Sequence, residues 1–138
     1  DLAVSRYERA ATLQPANLDF QKRYAMSLVN NGLQLFETGM VDAAETALED
    51  AQRFSGQLSS KNPSDIQCRD IFANSLENLA DYHASKEKWD KAAELYREAI
   101  ENSADPSAKS RMEKPLEEAM KHIDAGTDES AGGEGASS

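Results

Sequence analysis

The chain has 138 residues, 29% charged and 39% apolar, with a formal net charge of −10 and one cysteine. That length is enough for one domain with a real core, and the acidic balance argues against phosphate backbones or anionic lipid, where Lys and Arg must supply the attraction. Cys68 alone excludes an internal disulfide and a cysteine-framed zinc site, and no apolar run approaches the roughly 18 residues of a membrane span.

A first helix is expected over residues 3–14, with Ala3, Tyr7 and Ala10 along one stripe and Pro15 closing it. Asn17 caps a second helix, about 18–38, whose apolar stripe is Phe20, Tyr24, Leu28 and Leu35. Gly39 stops it, and a third helix carries Ala44, Ala47, Leu48, Ala51, Phe54 and Leu58 from near Val41 to about Ser60, through Gly56. Asp65 repeats the cap of Asn17 for a fourth helix, about 66–86. Trp89 opens a fifth as a core anchor, with Ala92, Leu95, Tyr96, Ala99 and Ile100 inward. Asp105-Pro106 starts a last helix over 106–123, where Pro115 predicts a kink or break near Lys114. Residues 124–138 are Gly, Ser, Ala and acid with nothing to bury, and are expected to form a disordered tail. No strand pattern occurs, so the fold class is all-α.

These elements are one unit written twice. Residues 15–62 align without a gap on 63–110 at a period of 48: Pro15 meets Pro63, Ala25 meets Ala73, Ser27-Leu28 meets Ser75-Leu76, Asn30 meets Asn78, and Ala44 meets Ala92. A fixed period of that size marks a helical repeat array. Gly32 and Ala80 are small where helices are expected to cross, beside large Leu28, Leu48, Leu76 and Tyr96.

Leu28, Asn31, Gly32, Leu35, Ala44, Leu48 and Ala51, and again Leu76, Leu79, Ala80, His83, Ala92, Tyr96 and Ala99, stand at tetratricopeptide spacing. The sequence therefore resembles the tetratricopeptide family over about residues 1–104. The resemblance implies a right-handed α-solenoid with a half repeat 1–15, repeats 16–62 and 63–105, and a capping helix 106–123. Each repeat is longer than the usual length of about 34 residues, by about seven residues in each paired helix, or two turns. Both helices of a pair are expected to grow together. Asn31 stands where the family has leucine, His83 where it has an aromatic, and Glu87 where the first copy has Gly39. Asn31 is read as a hydrogen-bonded core amide.

In that family ligands lie along the concave face of the first helices. Transferred here, the face is Met26, Val29, Asn30, Leu33, Phe36 and Glu37 from one copy, and Asn74, Glu77, Asn78, Asp81, Ala84 and Ser85 from the other. The lysines of the family's carboxylate-gripping groove are missing, so the expected ligand is an extended or helical protein segment. Its apolar side chains would lie over Leu33 and Phe36, with a basic group near Glu77 and Asp81. No enzyme activity and no cofactor are expected. His83 and Glu87 lie one helical turn apart but lack a third metal ligand. Cys68 has Arg69 beside it and no histidine close in sequence, and reads as a helix-face thiol. His122 is expected in solvent, and the glycines near Glu134 lack a phosphate loop's lysine.

The first functional reading is a non-catalytic protein–protein interaction scaffold without nucleic-acid or membrane partners, placed in the cytoplasm. Two alternatives stay open. One is the regulatory, substrate-recruiting portion of a larger enzyme such as a bacterial protein kinase, since similar long-repeat arrays accompany kinase or NTPase domains. The other is a homodimerisation module, because the helix carrying Tyr7 has one flank open to self-association. A start at Asp1 rather than Met is read as a piece of something longer.

Overall fold

The computed structural model describes residues 2–136, with side chains through 126. Six helices follow in order: α1 Leu2–Leu13, α2 Leu18–Glu37, α3 Val41–Lys61, α4 Ile66–Ser85, α5 Trp89–Asn102 and α6 Pro106–Ala136. No strand occurs among the described residues, so the fold is all-α.

The helix starts follow the capping residues. Asn17 Oδ1 accepts from the Phe20 N–H at 3.2 Å, and Asp65 Oδ1 from the Cys68 N–H at 3.0 Å. Asp105 Oδ1 accepts from the Ser107 N–H at 3.0 Å, just ahead of the first turn opened by Pro106. The ends of α2 and α4 are the same motif 48 residues apart. Gly39 N–H donates to the Phe36 carbonyl and Met40 N–H to that of Leu35; Glu87 donates to Ala84 and Lys88 to His83. Both motifs need a left-handed residue, supplied by Gly39 at φ 80° and by Glu87 at φ 58°.

Successive helices run antiparallel, because partners ascend on one helix as they descend on the next. Tyr24 meets Phe54 while a Cβ on Gly32 would meet Leu48; Ser55 bonds Ser75 while Glu45 bonds Tyr82; Trp89 meets His122. The first helices of the two copies, α2 and α4, run parallel, tied at their N-terminal ends by Lys22. Its Nζ lies 2.7 Å from Asp65 and donates to Gln67 Oε1 at 3.0 Å.

Two apolar clusters form the core. One gathers Ala44, Leu48, Leu76, Leu79, Tyr82, Tyr96 and Met112 across α3 to α6. The other gathers Ala25, Val29, Ala51, Leu58, Cys68 and Ile71 at the opposite ends of α2, α3 and α4.

The structure corrects several expectations. The second pair does not lengthen together: α4 has 20 residues and α5 only 14, against 20 and 21 in α2 and α3. The chain leaves α5 at Ser103, where the Ala104 N–H is caught by Asp70 Oδ1 at 2.9 Å, and enters α6 at Pro106, the start that Asp105-Pro106 marks. Residues aligned with the last turns of α3 become the start of α6, and Ala108 and Met112 join the main core. Pro115 does not break α6, because buried Met112 and Ala119 anchor the turns on either side. α6 is helical to Ala136, past the expected stop at 123. Of the segment 124–138 read as a tail, residues 137 and 138 and the side chains from 127 onward lie outside those described. Trp89 is half-buried rather than a core anchor. Its ring stacks on His122, centroids 4.0 Å apart and planes 6° apart, so His122 is exposed but partnered. Asn31 is half-buried.

Candidate functional site

A cavity of about 620 Å³ opens along α2 and α4 beside α1. From α4 it takes Gln67, Asp70, Ile71 and Asn74; from α2 it takes, among others, Asp19, Lys22, Arg23 and Met26. Those two sets are the same four positions of the repeat, each 48 residues apart. One face of each copy therefore builds one wall of the groove. The positions belong to the two extra turns at the start of each first helix, where spacings of three, one and three residues keep all four on one side. Val29 and Asn30 continue the α2 wall, and Ala3 and Tyr7 close the end toward α1.

The groove has an apolar floor with polar edges. Val29 and Ile71 are buried and Met26 is half exposed. Its charges are largely internally matched. Arg23 pairs with Asp19 at 3.0 Å, Asp70 caps Ala104, and Lys22 is held by Asp65 and Gln67. Lys22, followed by the Cys68 N–H, holds the Asp65 carboxyl below its usual range. Asn30 and Asn74 place exposed amides on opposite walls of the groove.

Of the residues expected on this face, Met26, Val29, Asn30 and Asn74 come together here. The others lie elsewhere. Phe36 packs against the main core, its ring edge-on to Tyr82 with centroids 6.0 Å apart. Leu33 and Asn78 are half-buried, Glu37 is exposed, and none of them lines this groove. Glu77 and Asp81 already have partners within the chain. Arg111 of α6 donates to both Glu77 oxygens, at 3.0 and 3.1 Å, and the Tyr96 hydroxyl donates to Asp81. The basic group expected beside these acids is thus supplied internally, by a residue whose role nothing in the repeat pattern announces. Desolvation pushes the Asp81 carboxyl up, against the bond from Tyr96, and burial pushes the Tyr96 hydroxyl up.

Asp19, Lys22, Arg23, Gln67, Asp70 and Ile71 are the site residues missed from sequence. Their signal was present: paired positions on one face of the added turns, at the repeat period. Among the described residues no group of three or more His, Cys, Asp or Glu side chains could hold a metal ion. Cys68 is fully buried, and burial raises its thiol pKa, so the adjacent Arg69 does not activate it. No described helix is long and apolar enough to cross a membrane. No protein-family model matches the chain, and no curated protein matches it.

Proposed function

We propose that this chain is a tetratricopeptide-like interaction scaffold, a short α-solenoid whose α6 caps the stack, and that it binds a segment of another protein in the α2–α4 groove without catalysing a reaction. The observation that carries the reading is the pairing of walls. Asp19, Lys22, Arg23 and Met26 face the same cavity as their counterparts Gln67, Asp70, Ile71 and Asn74. Two copies of one face, offset by one repeat, suit a ligand that is itself extended and runs across both.

The groove's chemistry defines the segment. Met26, Val29 and Ile71 offer a seat for one bulky apolar side chain, and Asn30 and Asn74 offer amides to a peptide main chain on either side of it. Local charges are already matched, so the segment needs no fixed carboxylate or phosphate. The overall charge of −10 speeds the encounter with basic partners at low salt.

Selection of random dodecapeptides on the full chain tests the proposal. Enriched peptides should share one bulky apolar residue, and their affinity should fall at least tenfold in Met26→Lys and Asn74→Ala while Glu37→Ala binds as wild type. Failure to enrich any sequence, or binding indifferent to both groove substitutions, would overturn it.

A further inference from the structure

The two helix-end motifs share their backbone hydrogen bonds and differ in the side chains they carry. In the first copy the α2 end is built from Leu35, Gly39 and Met40; at the same three positions the α4 end has His83, Glu87 and Lys88. At the inward position an apolar Leu35, packed against the main core, is replaced by the titratable His83. His83 is 1% exposed, and both ring nitrogens are buried without a hydrogen-bond partner. Its neighbours repel a proton. Lys88 follows it in the turn and Lys91 faces it from the first turns of α5.

Among the described residues no carboxylate bonds either ring nitrogen. From α3, the Glu45 carboxylate accepts the Tyr82 hydroxyl at 3.1 Å, and Arg53 pairs with Asp50. Glu49 and Arg53 of α3 and Lys91, Glu94 and Glu98 of α5 line the cleft of about 500 Å³ that His83 borders. Of these acids Glu45 most favours the proton on His83, and it is outweighed by burial, Lys91 and Lys88.

We propose that the C-terminal end of α4 is a proton-sensitive seam: protonation of His83 opens the α4–α5 turn away from α3, while the equivalent α2–α3 turn, where Leu35 packs against the core, stays shut. In the closed turn a cation on His83 is buried with neither ring nitrogen bonded to a carboxylate, and burial and two lysines outweigh Glu45, so the closed turn excludes the proton and the opened turn accepts it. The sign follows. Burial holds the His83 pKa below its ordinary 6.5, so closure is fully favoured above that value and is lost progressively as pH falls beneath it.

Amide hydrogen exchange on the full chain between pH 7.5 and 5.5, corrected for intrinsic rates, tests this, with ring titrations of both histidines recorded alongside. Opening of residues 83–96 should grow below pH 6.5, by at most about tenfold per pH unit for one proton, while residues 35–48 do not change. His83→Leu, which restores the first copy's residue, should abolish the growth, and His122→Gln should leave it intact. Equal growth in both turns, persistence in His83→Leu, or a His83 ring titrating at its ordinary value would overturn the proposal. If His83→Leu fails to fold, the wild-type ring decides: a midpoint below 6.5 that coincides with local opening supports the seam, and any other midpoint sinks it.

Discussion

Gly32 of α2 lies so close to Leu48 of α3 that a β-carbon built on it would sit 2.9 Å from the Leu48 Cδ2 and 3.3 Å from the Leu48 backbone nitrogen. Leu48 is 1% exposed, and the backbone atom cannot retreat as a flexible side chain would. Ordinarily Gly→Ala inside a helix gains about 1 kcal/mol. Here overpacking of about 1–3 kcal/mol opposes that gain, so Gly32→Ala should destabilise, with a lower midpoint in denaturant at unchanged slope. The cost should shrink in a Leu48→Ala background, which makes room. An additive double mutant would show that the two residues do not meet as described.

Glu87 holds a conformation that its counterpart Gly39 adopts without strain, φ 58° against 80°. The left-handed region costs a non-glycine residue about 1–2 kcal/mol. Part of the benefit of glycine is returned through its freer unfolded chain. Glu87→Gly should therefore stabilise the protein by about 0.5–1 kcal/mol, and Gly39→Ala should destabilise it. Thermal melts at pH 7.5, above the His83 window, separate this backbone effect from protonation. No gain in Glu87→Gly would mean the α4 end is not built as the α2 end is.

Asp81 and Tyr96 stand where the first copy has Leu33 and Leu48, so the second pair contains a polar contact in an apolar place. Burial raises the Asp81 pKa above its ordinary 3.8. A carboxyl whose folded pKa is raised disfavours folding as it ionises, so this residue weakens the fold as pH climbs past 3.8, opposite in sign to His83. Asp81→Asn keeps an acceptor for the Tyr96 hydroxyl and removes the charge. It should be neutral or stabilising at pH 7 and should flatten this part of the stability profile. Tyr96→Phe strands the carboxylate and should cost about 1–3 kcal/mol. If Asp81→Asn proves as damaging as Tyr96→Phe, the buried-charge explanation is wrong.

Much of the fold was legible because local signals and the 48-residue period agreed. Asn17, Asp65 and Asp105 marked helix starts by cap chemistry and Gly39 marked an end, while Glu87, noted only as a departure from Gly39, ends α4 in the same conformation. What misled was the assumption that both members of a pair must lengthen together. Asp105-Pro106 already marked the start of α6 and so the end of α5 before it; Asp70 catching the Ala104 amide 34 residues away is the long-range contact at that exit. The site was half legible for a related reason. Family spacing pointed to the C-terminal halves of α2 and α4, but there Phe36 is taken into the core, and Glu77 and Asp81 are matched by Arg111 and Tyr96. The open groove lies instead on the added turns, which the shorter family pattern does not contain.

The whole account rests on α2 and α4 lying parallel and in register, since that alone makes one groove of two equivalent faces. Zero-length carbodiimide coupling followed by peptide mass mapping measures it, because an amide forms only between an amine and a carboxylate already in contact. Lys22 and Asp65, 2.7 Å apart across the two helices, should couple in the wild type and fail to couple in Asp65→Asn. Coupling of Lys22 to other carboxylates but never to Asp65 would place the helices differently and contradict the groove.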